Sequence, residues 1–419
     1  MSLPESRKKL SPIIGIFITV FLDLMSFGMF IPDLQLRGKV IATKAMGPEA
    51  SDTSIGWLVG AMLASFSLAQ LLTSTYLGRL SDKHGRRIVL LITCALSVAS
   101  YALYANAGTL SVIFVSRILS GIAAANLGVA FAYIADVTTA EDRAKGLGLI
   151  GAAFGLGFIL GPVAGGLILK FSNDSPMWLG YIGAALSLIN LIYVYLFLPE
   201  SLAKPSVAKS SLIGDLKTAF KSPQLGLLLL MFFAINIGFT NLETTYFQLL
   251  ETDRWNFHLG GQAKEVGSYI LAVVGLTGVI MQGFLVRKLT PIYGEVKLLR
   301  WAYVGYVPVL ALIPFAPLWW PQILGAVGLA VCSGLSQPTI SSLISRNSPR
   351  ELQGGIFGIT QSLGALARCL GPIMSNPLFH WKPYSPYLLG AGIILFPAFA
   401  AWTLKQPKGG EDSEAFVVE

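Results

Sequence analysis

Charge is what this sequence has least of. Only 12% of its 419 residues are Asp, Glu, Lys or Arg, about half the share of an ordinary soluble domain. Length alone would suggest two or three soluble domains, and this shortage argues against them. Cysteine is scarce too: Cys94, Cys332 and Cys369 all fall in apolar stretches, so no disulfide framework is implied. The three histidines, His84, His258 and His380, fall in predicted loops. Any proton carried across the apolar stretches is therefore expected on a carboxylate. There is no Walker-type glycine-rich lysine loop, no cluster of metal ligands and no nucleophile with a histidine partner. An enzyme, an ATP-driven pump and a bound cofactor are all disfavoured. A membrane receptor or scaffold is disfavoured as well, since no long soluble domain or interaction tail extends beyond 408–419.

What is present is apolar sequence from end to end. Hydrophobic residues make up 54% of the chain and the mean hydropathy is +0.66. Runs of about 20 apolar residues recur, each long enough to cross a hydrocarbon core of ~30 Å. The pattern predicts spans at 13–36, 55–77, 88–106, 110–136, 145–169 and 177–198. A second set follows at 225–250, 265–286, 296–315, 321–345, 354–376 and 384–404. The expected fold is an all-α membrane protein of twelve helices in two six-helix bundles, residues 1–198 and 225–404. A linker, 199–224, carries Lys204, Lys209, Lys217 and Lys221, and a short tail covers 405–419. The polar N-terminal stretch ends in Arg7, Lys8 and Lys9 and meets the first span with no small-residue cleavage site, so that span is read as retained.

With twelve spans, the termini and the linker share one side of the membrane. Of the 30 lysines and arginines, 21 lie on that side and 7 on the other, while Arg117 and Arg368 lie inside spans. The asymmetry predicts cytoplasmic termini. The net charge of +8 is thus a topology signal rather than a nucleic-acid surface. The halves also resemble each other. Glu141, Gly148, Leu156, Leu160, Gly161 and Pro162 match Glu351, Gly358, Leu366, Leu370, Gly371 and Pro372 at a constant offset of 210. Parallel repeats of this kind place a substrate site near the midplane, between the halves.

The strongest local pattern is Gly78-Arg-Leu-Ser-Asp82-Lys-His-Gly85-Arg86-Arg87, between the second and third spans. Gly78 and Gly85 permit a sharp turn and the arginines favour the cytoplasmic face. This G-x-L-x-D-x-x-G-R-R run resembles the signature loop of the major facilitator superfamily. Asp23 to Pro32 is similar to the first-helix pattern of its twelve-helix drug:proton antiporter branch, and Arg117 to Gly121 to the fourth-helix pattern. Gly157-Phe-Ile-Leu-Gly161-Pro162-Val-Ala-Gly165-Gly166 fits that branch's fifth-helix antiporter pattern in full. In the second half, 241–245, 251–255 and 361–372 resemble tetracycline-efflux and tetracycline-transporter-like proteins. The second copy of the signature loop is eroded there, since 283–294 lacks the aspartate.

The resemblance implies a pairing of Arg86 with Asp136, and an approach of Asp82 to the start of the eleventh span near Gln353 and Gly354. There a positive helix end favours a carboxylate. Such contacts would latch one conformation. Gly157, Gly161 and Gly165 recur every four residues on one helix face and allow another helix to come close. Packing is itself how that motif would act.

Ionisable groups deep in a span are costly and are functional candidates by default. Asp23 lies ten residues into its span, roughly 15 Å along the helix. Carboxylates buried at such depth hold protons more tightly than in water, which suits a proton carrier. Asp23 ranks first, Glu243 second and Asp33 third, with Arg117 assigned to proton coupling by the resemblance. A structural ion pair with Arg117 competes as the account of Asp23, and a solvated helix end as that of Asp33. Arg368 is either a contact for an anionic substrate or a structural partner. Asn236, Asn241, Gln248, Gln337, Gln361, Tyr133 and Phe27 are the remaining candidates for the substrate site. Packing and interhelical hydrogen bonds compete for each of them.

The leading expectation is a monomeric secondary transporter in a bacterial inner (plasma) membrane. It would exchange small amphipathic compounds or organic anions for protons by alternating access, with the lipid bilayer as its surroundings and no nucleic-acid partner. A uniporter or proton symporter of a sugar, nucleoside or lysolipid is the alternative. Pro199-Glu200-Ser201 is similar to a sugar-carrier tripeptide that drug antiporters share, so it does not separate the two.

Overall fold

A chain that crosses hydrocarbon must satisfy its own backbone hydrogen bonds, and a helix does so within one segment. The computed structural model describes residues 12–47, 49–138, 143–202, 220–252, 263–316, 319–348 and 353–405, and these contain helices and no strand. The first half holds α1 (Pro12–Met29), α2 (Ile31–Met46), α3 (Asp52–His84), α4 (Arg86–Ala105), α5 (Leu110–Ala124), α6 (Leu127–Val137), α7 (Arg143–Phe171) and α8 (Pro176–Phe197). The second holds α9 (Pro223–Glu243), α10 (Tyr246–Glu251), α11 (Ala263–Ile280), α12 (Val286–Tyr293), α13 (Glu295–Leu312), α14 (Trp319–Arg346), α15 (Gln353–Trp381) and α16 (Ser385–Ala400). Arg7 to Lys9, Glu141, Lys204, Lys209, Lys217, residues 253–255, His258, Glu351 and 406–419 lie outside the described residues.

Each predicted span corresponds to one helix or to a pair separated by a short break. Span 1 breaks at Phe30, whose N–H donates to the Phe27 carbonyl. Span 4 breaks at Ala125 and Asn126, where two N–H groups tighten to i−3 carbonyls. Span 7 breaks at Thr244 and Thr245, whose hydroxyls donate to the carbonyls of Thr240 and Asn241. Short polar side chains are a common way to re-satisfy an interrupted helix in a membrane. Span 8 passes through a π-turn, Met281–Leu285.

The duplication read from sequence reappears as repeated packing. In the first half α1 lies against α7 and α8, and α4 against α5 and α8. In the second, α9 lies against α15 and α16, and α13 against α14 and α16. These are the same four pairings, shifted by six spans. By packing, the chain divides into two compact units, residues 1–31 with 69–208, and residues 32–68 with 209–419. One core gathers Ile16, Val20, Val89, Leu90, Tyr133 and Ile134, and a larger one Leu228, Met231, Tyr303, Tyr306, Leu310, Ile340 and Tyr387. Large apolar side chains such as Leu72, Phe171, Ile292 and Phe399 stay exposed. On this scale that is a lipid-facing surface.

Two sequence expectations change. Gly78 makes no turn: it sits inside α3 with no atom near its missing side chain. The turn is made at Gly85, with φ of 105°. His380 is not in a loop but half-buried on α15, which runs through Pro377 to Trp381, and His84 is the last residue of α3. Neighbouring helices support the backbone around Pro377, so the residue before it need not leave the helix.

Candidate functional site

Asp23 projects from α1 into a cradle of neutral amides. Asn126 Nδ2 donates to one carboxylate oxygen at 2.6 Å and Asn190 Nδ2 to the other at 2.9 Å. Asn190 is fully buried on α8 and also donates to the Thr19 carbonyl at 3.2 Å, while its own Oδ1 has no hydrogen-bond partner. Asn126 lies at the break in span 4, so the carboxylate is tied to a helix discontinuity. Among the described residues the hydrogen bonds of Asp23 thus come from amides. Arg117 is 3% exposed, with its guanidinium 5.9 Å from the Phe27 ring centre. Tyr101 feels the charge of both Asp23 and Arg117, and its ring stacks on Phe30, the break residue of span 1, at 4.6 Å.

The fifth-helix glycines act by close approach. A Cβ on Gly157 would stand 2.6 Å from the Leu24 Cβ, and one on Gly161 would stand 2.8 Å from both the Met25 carbonyl oxygen and the Gly28 Cα. A Cβ on Gly165 would collide with the Met29 carbonyl. Met25, Gly28 and Met29 follow Asp23 on α1, so this crossing holds the carboxylate's own helix. Pro162 and Gly166 are buried beside it.

At the signature loop, Arg86 Nε donates to Asp136 Oδ2 at 3.1 Å, and its Nη1 reaches Asp82 at 2.5 Å and Ser81 at 2.6 Å. The side chains of Gln353 and Gly354, expected near Asp82, lie outside the described residues. Sequence reading missed Glu200. It accepts the backbone N–H of Arg86 at 2.9 Å and of Arg87 at 3.1 Å, closing the N-terminus of α4 with a carboxylate. Its carboxylate occupies the space a side chain on Gly85 would need. Ser201 Oγ donates to Asp136 Oδ2 at 3.1 Å, and Tyr133 donates to the Pro199 carbonyl at 3.0 Å. The tripeptide at 199–201 is thus a clamp on the loop. Tyr133, expected at the substrate site, is fully buried and engaged there.

The second half holds a counterpart with the signs exchanged. Gly294, with φ of 77°, makes the turn before α13. Glu295 stands where the first half has Arg86, and Arg346, 210 residues after Asp136, pairs with it at 3.4 Å. Ser342 Oγ donates to the same Glu295 oxygen at 2.6 Å. The eroded copy therefore lost its aspartate and kept its turn and its ion pair, inverted.

The offset of 210 also relates Gly28 to Gly238 and Asp33 to Glu243. Asp33 is no solvated helix end: it is 1% exposed, with Arg37 at 3.9 Å one turn away on α2. Glu243, the last residue of α9, and Arg368 on α15 are both half-buried and attract each other electrostatically. Arg368 folds back over Gly364, where a side chain would meet its Nη1 at 3.4 Å and the Phe232 ring at 3.8 Å. Asn236 is half-buried one turn below Thr240 and donates to the Phe232 carbonyl at 2.7 Å. Helical spacing puts Phe232, Asn236 and Glu243 on one side of α9. Gln337 and Gln361 are half-buried on α14 and α15. Asn241 is buried on another side of α9, and Gln248 is buried on α10, where it donates to Asn376 Oδ1 at 2.8 Å. Among the described residues no group of three or more His, Cys, Asp or Glu could hold a metal ion.

Sequence reading also missed Asn190 and Tyr101. Asn190 had a signal, a lone amide in the apolar helix Pro176–Phe197.

With this geometry in place, the chain can be set beside known proteins. The family pattern described as Major Facilitator Superfamily matches residues 16–372. The mouse major facilitator superfamily domain-containing protein 10 is 27% identical, over 96% of this chain and 94% of its own. The class E tetracycline resistance protein of Escherichia coli is 30% identical, over 90% of this chain and 91% of its own. The crystal structure of the human organic anion transporter MFSD10 (TETRAN) superposes with a TM-score of 0.70 at 25% identity, covering 95% of this chain and all of that one.

Proposed function

We propose that this chain, which belongs to the Major Facilitator Superfamily, couples the export of organic anions or small amphipathic compounds to proton entry by alternating access. The family makes it a multi-pass membrane transporter and not an enzyme. The finer reading rests on two groups. Asp23 is the proton carrier, and the observation that carries it is the pair of amides on its carboxylate. Neutral donors hold the ionised form without a salt bridge that protonation would have to break. The unpartnered Asn190 Oδ1 is an acceptor that a simple amide rotation turns toward a protonated Asp23.

Arg368 is the substrate-side group. A guanidinium is a planar donor suited to carboxylate and phosphate, and its attraction to Glu243 keeps it neutralised until an anion arrives. Organic anions fit this chemistry, and one relative is named as an organic anion transporter. The bias of Lys and Arg supports cytoplasmic termini. The bacterial tetracycline relative supports an inner membrane, and one chain carrying both halves supports a monomer as the working unit.

The test is uptake into proteoliposomes of fixed orientation under an imposed pH gradient. Proton-driven accumulation of an organic anion that Asp23→Asn abolishes is the expected result. Flux indifferent to the gradient, with the variant unaffected, would remove the coupling claim. The direction of flux after a pH jump separates exchange from symport.

A further inference from the structure

We propose that the start of α13 and the end of α16 form a binding site for the phosphate of an anionic phospholipid. A cavity of about 280 Å³ opens there, lined by Tyr293, Val296, Lys297, Arg300, Trp301, Trp402 and Leu404. Among the described residues its lining holds two cations, three aromatic rings and no carboxylate.

The sequence sets this up locally. Gly294 turns the chain into α13, and Lys297, Arg300 and Trp301 then fall on one face by their i, i+3 and i+4 spacing. Each cation is fixed. Arg300 Nε donates to the Ala401 carbonyl at 2.9 Å, and its Nη2 donates to those of Trp402 and Leu404 at 3.3 and 3.2 Å. It therefore closes the C-terminal end of α16, where a cation is favoured, and lies 5.0 Å from the Trp402 ring centre. The Lys297 ammonium stands 5.5 Å from the ring centre of Tyr293 and 5.2 Å from that of Trp301, and those rings meet edge to face at 5.0 Å. The neighbouring acid, Glu295, is engaged by Ser342 and Arg346 instead. No described lining residue neutralises the positive charge at the cavity.

The surroundings select a lipid over a soluble anion. Trp301, in the second turn of α13, is 48% exposed, and Trp402, just past the end of α16, is 63% exposed. Tryptophan and tyrosine prefer the headgroup region, with an apolar body and a polar edge. Basic pockets at this depth, on the side that the charge bias makes cytoplasmic, suit anionic headgroups. The phosphate would sit on Lys297 and the open edge of Arg300, with glycerol and the acyl carbons along Trp301 and Trp402. A lipid held there would brace the ends of α13 and α16 together.

The experiment is thermal unfolding of the full chain in detergent, titrated with phosphatidylglycerol, with phosphatidylcholine of the same acyl chains, and with soluble glycerol 3-phosphate. A ligand of the native state raises the apparent midpoint by mass action. Phosphatidylglycerol is expected to raise it well above the other two. Lys297→Gln, an exposed change that should fold, is expected to weaken the apparent affinity about fivefold, as one interfacial cation would, and Lys297→Arg should restore it. Equal shifts with the two lipids, a full response from glycerol 3-phosphate, or an undiminished lipid preference in Lys297→Gln would each overturn the proposal.

Discussion

Asp23 and Glu243 are both acids inside spans of corresponding position in the two halves, yet they are held in opposite ways. Asp23 has its two oxygens on the amides of Asn126 and Asn190. Glu243 lies in the field of a guanidinium, Arg368. An acid held by neutral donors can gain or lose a proton without releasing a counter-ion. An acid beside an arginine trades its partner whenever a competing anion arrives. On the function proposed above, the first arrangement would suit a proton carrier and the second an anion gate, a difference carried on packing that the two halves share.

The largest test of that contrast is Asp23→Asn. Each pH unit across the membrane supports about tenfold accumulation per proton exchanged. The variant should lose all of it in a flux assay while binding substrate within about twofold of the wild type. If Glu243→Gln removes the gradient dependence instead, the two roles must be exchanged.

Arg368→Gln comes next. Losing the charge that would pair with a bound anion costs about 2 kcal/mol or more, so anion affinity should fall roughly 30-fold or further by calorimetry. Uncharged substrates should be nearly unaffected; a uniform loss would mark Arg368 as structural.

The helix crossings give a smaller difference. Gly161 meets the backbone of Met25 and Gly28, which cannot yield, whereas its repeat counterpart Gly371 meets Thr240, whose Cγ2 can turn away although its Cβ, at 2.8 Å, cannot. Gly161→Ala should therefore destabilise by about 1–3 kcal/mol, and Gly371→Ala by less, read as shifts of the unfolding midpoint. Equal shifts would mean that the crossings are equivalent.

A test of comparable size lies at the inverted loop. Glu295→Arg should cost about 1–3 kcal/mol, because Glu295 is buried and accepts from Ser342 even though Arg346 is largely exposed. Adding Arg346→Glu should recover most of that loss, as coupled neighbours do. Without recovery, the pair is incidental and the correspondence with Arg86 and Asp136 is positional only.

Much of this was legible in the chain itself. Twelve spans followed from apolar length, and the repeat from the constant offset around Leu-Gly-Pro in spans 5 and 11. The special position of Asp23 followed from the cost of a charge at that depth. Glu200 was not legible, because its partners at Arg86 and Arg87 are more than a hundred residues away and nothing in a Pro-Glu-Ser run says where it folds back. His380 was misplaced for a related reason: the proline that ends a helix in water is tolerated where neighbouring helices support the backbone.

Sequence by itself determined which segments are apolar enough to cross the membrane, that the crossings come in two similar sets, and which acids and arginines fall within them. Those are properties of transfer from water to hydrocarbon, which acts on each segment alone. Only the tertiary structure decided what each buried group touches. It gave Asp23 its amides, Gly85 its clamp in Glu200, and Glu295 its arginine. Hydrogen bonds and close packing depend on residues far apart in the chain reaching ångström contact, and no local pattern encodes that.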